Sequence, residues 1–273
     1  MKKILVPTDF SACAQHAMDM GIALAELFEA QLFFVTVTAG SSPKGDLKNV
    51  VIKSFDNWEK EAKVRNVNLK TACIGGEFIP ALQNYIHQNN IDFVVMGSHG
   101  ASGKQEYFIG SNTQKAVRAL HVPIFVIKQP LAKNTFDNVI FASSFDTNEK
   151  PAFLRFLDFI KWFKPKTVHL LSINTSGWFG QPALLMKEVM NDFKALCTDF
   201  KCKTHFYSDF TVDSGVRHFM DEIGADLIAI SNRNRHPLKR IFSGSNVEAL
   251  VNHCEQPVLS IDYVEAATLK TTS

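Results

Sequence analysis

Three landmarks return along this chain at a single spacing of 134 residues. Gly110, Ser111 and Asn112 come back as Gly244, Ser245 and Asn246, the run DFVVM from Asp92 as DLIAI from Asp226, and VPIFVI around Pro123 as QPVLSI around Pro257. A fourth pair, ILVPTDFS from Ile4 and VIFASSFD from Val139, is offset by 135, so one small indel separates the copies. A repeat of this length means that one folding unit is written twice, and every other signal has to fit inside it. The total of 273 residues agrees, because it exceeds what a single hydrophobic core usually fills.

Inside each copy two patterns alternate. The runs Ile4 to Val6, Leu32 to Val37, Phe93 to Met96 and Ile124 to Ile127 are apolar without interruption, which predicts strands buried on both sides. Between them, Ala14, Ala17, Met18, Gly21, Ala25 and Phe28 are spaced by threes and fours, as are Val51, Phe55, Trp58 and Ala62, then Ile79, Leu82 and Ile86, then Ala116, Val117 and Leu120. The second copy repeats the scheme through Phe153, Phe156, Leu157 and Ile160, then Met186, Val189, Met190 and Phe193, then Val216, Phe219, Met220 and Ile223, then Val247, Leu250, Val251 and Cys254. Strand and helix in alternation predict the α/β class: two tandem open parallel-sheet domains with right-handed crossovers and helices on both faces. The expected boundaries are 1–128 and 138–263, with a linker at 129–137 around Pro130 and a patternless flexible tail at 264–273.

The totals exclude several classes. Twenty-nine basic against 27 acidic residues leave a net charge of +2, too little to draw a nucleic acid or a membrane by bulk electrostatics. The opening MKKILVPTDF is far short of a signal-peptide core, and no apolar run is long enough to cross a bilayer. Five scattered cysteines, Cys13, Cys73, Cys197, Cys202 and Cys254, form no CxxC pair, and the expected compartment is a reducing cytoplasm. With 23 Phe and only 4 Tyr, the aromatic content is read as core filler.

The stretch VVMGSHGASGKQEYFIGSN spends four of the chain's 14 glycines, Gly97, Gly100, Gly103 and Gly110, directly after a buried strand. In an open parallel sheet, ligands lie beyond the carboxyl ends of the strands. Glycine there is expected to supply left-handed backbone and to let a ligand reach the main chain without meeting a Cβ. Ser111 is expected to cap the next helix, with the free amides of Asn112, Thr113 and Gln114 facing an anion. Tight turns and an ordinary helix cap are the plainer account of the same residues.

The spacing of these residues, glycine, two residues, glycine, nine residues, glycine and serine, resembles the fingerprint of the ATP-binding branch of the universal stress protein family. ILVPTDFS resembles that family's first strand and turn, and VPIFVIK its last strand. The resemblance is close over Met1 to Lys128 and loose over Asp137 to Tyr263, which makes the chain similar to tandem members. It implies a Rossmann-like, adenine nucleotide alpha hydrolase-like fold and bound ATP, with or without Mg. It also implies roles for particular residues. Asp9 would contact ribose or adenine, with Pro7 and Thr8 shaping the pocket and the Val37 backbone meeting the adenine edge. Gly97, Ser98, His99, Gly100, Ala101 and Gly103 would line the ribose and phosphates, and Gly110, Ser111, Asn112 and Thr113 the phosphate end. Paired domains of the family associate through their last strands, so VPIFVIKQ and QPVLSIDY are expected to meet within one chain, with a homodimer beyond that left open.

Carried across the offset, Asp9 becomes Ser144, Gly97 becomes Ser231 and Gly100 becomes Asn234, while Gly110 and Ser111 persist as Gly244 and Ser245. Losing two glycines and the carboxylate is expected to forfeit about 3 kcal/mol, over a hundredfold in affinity, so the second copy is not expected to bind ATP in the family's manner. Arg233, Arg235, Lys239 and Arg240 replace the cradle, and read as a solvated loop before they read as an anion site. Cys197, Cys202, His205, His253 and Cys254 are metal-ligand types, but helical apolar spacing makes the thiols structural. No nucleophile, base and orienting group occur together, and neither a GxSxG elbow nor a Walker lysine is present. The expected function is therefore an ATP-binding regulatory or stress-response module with an unknown protein partner. The alternatives are a slow ATP hydrolase or nucleotidyl-transferring enzyme, for which only His99, Lys104 and Ser111 are on offer, or a scaffold without nucleotide.

Overall fold

The computed structural model describes residues 2–40, 46–98, 111–131, 135–175, 183–233 and 246–263. Ten strands form one continuous sheet in the order β3-β2-β1-β4-β5-β10-β9-β6-β7-β8. The first five are β1 (Lys3–Pro7), β2 (Gln31–Thr38), β3 (Asn68–Gly75), β4 (Phe93–Gly97) and β5 (Ile124–Ile127). The second five are β6 (Asn138–Ala142), β7 (Thr167–Asn174), β8 (Cys202–Ser208), β9 (Leu227–Arg233) and β10 (Val258–Tyr263). Each half repeats the same order from its outer edge inward, and every neighbouring pair is parallel except β5 with β10. That pair runs antiparallel, with Ile124 opposite Ser260, Phe125 opposite Leu259 and Val126 opposite Val258. The two last strands thus meet inside one chain.

Among the described residues eight α-helices cover the sheet: α1 (Ala12–Leu27), α2 (Asp46–Val64), α3 (Phe78–Asn89), α4 (Ser111–Ala119), α5 (Lys150–Ile160), α6 (Ala183–Lys194), α7 (Val212–Ile223) and α8 (Asn246–His253). Their apolar faces divide the core by sheet face and not by half. Residues of α1, α2, α5 and α6 share one buried cluster, and those of α3, α4, α7 and α8 the other. The central strands feed both clusters, since side chains alternate across the pleat: Ile4 and Val6 go one way, Leu5 the other. This is why those strands carry uninterrupted apolar runs.

Helix α1 lies close on the sheet because Gly21 lets it; a Cβ there would stand 2.6 Å from Val6 Cγ2. The phenylalanines gather where the halves join. Phe28 of α1 packs against Phe159 at 5.7 Å between centroids, and against Trp162 and Phe163 beyond α5. Phe159 also meets Phe93 and Phe125, and Phe136, from the segment read as linker, stacks near Phe163 at 4.7 Å. The edge strands β3 and β8 were not anticipated from apolar runs, and both are only half-buried along most of their length.

Candidate functional site

The carboxyl edge of the first half opens at the one place where neighbouring crossovers leave for opposite faces. From β1 the chain turns to α1 on one face, and from β4 to α4 on the other. The β1–β4 ladder holds only Ile4 with Phe93 and Leu5 with Val94. Beyond it the strands look away from each other. The Thr8 amide donates to the Val35 carbonyl of β2 at 2.8 Å, and the Ser98 amide to the Ile127 carbonyl of β5 at 2.9 Å. The gap between them is a topological switch point, where ligands of open α/β sheets lodge.

Pro7 ends β1 and is buried. Thr8 is buried, its hydroxyl accepting from the Phe10 amide at 3.0 Å, a turn that holds Phe10 at a φ of 63°. Asp9 stands exposed at the mouth, one carboxylate oxygen accepting from the Ser11 amide at 3.0 Å. Ser11 caps α1 by accepting from the Ala14 amide. Val37 is half-buried near the end of β2, opposite Ile74 of β3. Ser98 is 1% exposed, and its Oγ has no hydrogen-bond partner among the described residues. A buried hydroxyl without a partner is costly, and this one lies at the crevice, directly after β4. Ser111 and Asn112 are exposed in the first turn of α4, and Thr113 is buried with its hydroxyl donating to the Gly97 carbonyl at 2.9 Å. That bond ties the start of α4 to the end of β4. His99, Gly100, Ala101, Gly103 and Gly110 lie outside the described residues, as do Lys104, Arg235, Lys239 and Arg240.

Two expectations need correction. Gly97 is not left-handed; among the described glycines only Gly76 and Gly224 have positive φ. Its missing side chain is instead a matter of space, because a Cβ would fall 2.0 Å from the Cys13 carbonyl oxygen in the first turn of α1. Ser111 is the first residue of its helix and not the residue before it.

The same edge of the second half is closed. Here β6 and β9 stay paired through four positions, Val139 with Leu227 up to Ala142 with Ile230. The turn after β6 matches its counterpart, with the Ser143 hydroxyl accepting from the Phe145 amide at 2.9 Å and Phe145 at a φ of 58°. What differs is Glu149, which is 2% exposed. Its carboxylate accepts from the hydroxyls of Ser143, Ser144 and Ser231 and from the Asp146 amide at 3.0 Å. Ser231 stands where the first half has Gly97, and a 3-10 turn at Thr147–Glu149 precedes α5 where α1 begins directly. Sequence reasoning missed Glu149; its only local signal is the capping-box spacing from Asp146.

The remaining chemistry-bearing residues are dispersed. Burial first, and then the Asp9 carboxylate, push the Cys13 thiol upward, which keeps it protonated. The Cys197 thiol donates to the Phe193 carbonyl within its own helix at 4.0 Å, burial and neighbouring charge push the Cys254 thiol up to about 12, and His253 turns to Asp213 at 2.9 Å. All five cysteines are free, and among the described residues no three His, Cys, Asp or Glu side chains come together to hold a metal. Among the same residues no helix is long and apolar enough to cross a membrane.

Comparison with known proteins supplies a context for this geometry. The model described as the universal stress protein family matches residues 1–128 and 211–261. The universal stress protein MJ0531 of Methanocaldococcus jannaschii is 25% identical over 141 residues, covering 47% of this chain and 83% of its own. A solved universal stress protein from Archaeoglobus fulgidus, 18% identical, superposes over 95% of this chain and 98% of its own with a TM-score of 0.73, a likeness of fold across both halves. A further solved member from Arabidopsis thaliana holds AMP; it covers 50% of this chain and 96% of its own, at 14% identity and a TM-score of 0.37.

Proposed function

The chain belongs to the universal stress protein family, and from that premise we propose that residues 1–128 form an ATP-binding regulatory module and residues 138–263 its nucleotide-free structural partner. The single observation that carries this reading is the crevice between β1 and β4, with the buried Ser98 hydroxyl directly after β4 having no partner among the described residues. Adenine nucleotide fits it chemically. Asp9 offers an exposed carboxylate to ribose hydroxyls at the end of β1, the device used by dinucleotide folds. The first turn of α4 presents amides and the positive end of a helix dipole to phosphate oxygens, with Ser111 and Asn112 exposed to receive them. Mg, if carried with the triphosphate, would be held chiefly by phosphate oxygens, and it would supply charge neutralisation there.

A binding role is favoured over turnover. Among the described residues around the crevice there is no base aligned on a nucleophile, and the Cys13 thiol is held protonated. Nucleotide occupancy would then act on a protein partner.

Calorimetric titration of the whole protein with ATP tests this, together with Asp9→Ser, which installs the residue of the second half. One equivalent of ATP per chain is expected, with affinity lowered about tenfold or more in the variant, the equivalent of 1.4 kcal/mol. Absence of saturable binding, or two equivalents per chain, would overturn the assignment. Release of phosphate at substoichiometric protein would move the protein to the enzymes.

A further inference from the structure

The helix that offers its amides to the phosphates is held from the other half of the molecule. Gln114 and Arg118 lie four residues apart on one face of α4, and both reach Glu248 in the first turn of α8. Gln114 Nε2 donates to one carboxylate oxygen at 3.0 Å, and the Arg118 guanidinium donates to both. Glu248 is 4% exposed, whereas the Arg118 side chain is 45% exposed, so a buried carboxylate is met by a cation that stays half in water. Gln114 and Glu248 are also separated by the repeat's own 134 residues, so the two halves touch here through equivalent positions.

We propose that Glu248 is a positioning residue for the phosphate end of the first half's nucleotide site, fixing the axial position and rotation of α4 from across the seam. The inference rests on the ATP-binding reading of that site. Among the described residues two ties hold the start of α4: Thr113 to the Gly97 carbonyl within its own half, and the Gln114 and Arg118 clamp on Glu248. The first fixes a point and the second fixes an orientation. Amides aimed at a phosphate are useful only where they are preorganised, and a displacement of about 1 Å can forfeit up to a hundredfold in a geometry-dependent interaction. The adenosine end of the ligand, by contrast, would rest on β1 and β2, which do not touch Glu248. Positioning therefore predicts a loss confined to the phosphate-bearing part of the ligand.

Charge makes the opposite prediction, which allows the two to be told apart. Neutralising Glu248 removes a negative charge from the neighbourhood of α4 and releases the Arg118 cation, so simple electrostatics would tighten ATP. The experiment is calorimetric titration of the whole protein with ATP and with adenosine, in the native chain, Glu248→Ala and Glu248→Gln, with thermal unfolding alongside. Glu248→Ala should weaken ATP about tenfold while adenosine stays within about twofold, and Glu248→Gln, whose one amide oxygen can accept from both Gln114 and Arg118 while its amide nitrogen meets the Arg118 Nε donor, should recover part of the loss. Should the alanine variant fail to fold, Gln114→Ala, which removes one arm of the clamp and leaves Glu248 in place, carries the same comparison. Equal losses for ATP and adenosine, or unchanged or tighter ATP, would overturn the positioning role. Failure of the native chain to bind either ligand would remove the underlying site and the inference with it.

Discussion

The two halves of this sheet carry the same turn at the same edge and do opposite things with it. In the first, the β1–β4 ladder ends after two pairs, Gly97 admits α1 to 2.0 Å of where a Cβ would stand, and the Ser98 hydroxyl is buried with nothing to bond. In the second, β6 and β9 stay paired for four positions and three serine hydroxyls converge on Glu149. The difference teaches that the opening at a switch point depends on whether the polar groups there find partners within the protein. A single buried carboxylate can satisfy internally the donors that would otherwise wait for a ligand.

The comparison breaks most severely at Glu149. Glu149→Ala strips three hydroxyls and one amide of their acceptor and should cost about 3 to 5 kcal/mol in urea unfolding. A cost under about 1 kcal/mol would mean that the closed edge is held by β6–β9 pairing alone.

Acid should separate the halves next. His169 on β7 takes the place that Phe33 has on β2, each opposite the third residue of its half's first strand. His169 is buried against His205, whose ring nitrogen lies 3.1 Å away, and Phe219 packs beside both. Burial, then the His205 and Lys203 charges, hold its pKa down to about 4. A base whose folded pKa lies below its unfolded value binds fewer protons in the fold. Its contribution to stability is thus whole above about pH 6.5 and is lost as the pH falls toward 4, by up to about 3 kcal/mol. Unfolding followed by the nearby Tyr207 and by Trp58 of the first half should show the second half yielding first. His169→Phe should flatten the acid limb, and an unchanged pH profile would remove His169 as its source.

The smallest effect is the sharpest in sign. Ser231→Ala deprives Glu149 of a donor and should destabilise by about 1 kcal/mol, whereas Ser98→Ala removes an unpartnered buried hydroxyl and should leave the free protein unchanged or steadier by up to about 1 kcal/mol. Equal destabilisation in thermal scans would show that Ser98 is already satisfied within the protein.

The sequence made the repeat, the central strands and most of the helix faces legible, because each is written in local periodicity; Val189 on α6, read with Met186, Met190 and Phe193, is instead exposed. Ala14, Ala17, Met18, Gly21 and Ala25 all face the core as their spacing implies. The edge strands were silent for a physical reason. In NLKTACIG and CKTHFYS one flank lacks a neighbour, side chains stay half-exposed, and no apolar run is needed. Asp9, Thr8 and Gly97 stand at the strand ends where the sequence puts them, but Gly97 has an ordinary backbone, and the close approach of Cys13, far away in sequence, could not be read from its neighbours. Glu149 was invisible because its burial depends on Ser231, 82 residues distant. The gathering of phenylalanines at the seam was hidden likewise, since Phe28 and Phe159 are neighbours only after folding.

The antiparallel union of β5 with β10 has a last consequence. An assembly that forms between separate chains dissolves on dilution, whereas one joined by a short connecting segment experiences an effective concentration on the order of millimolar regardless of how many copies the cell contains. A scarce protein built this way would be as fully assembled as an abundant one, and its readiness would not depend on its expression level.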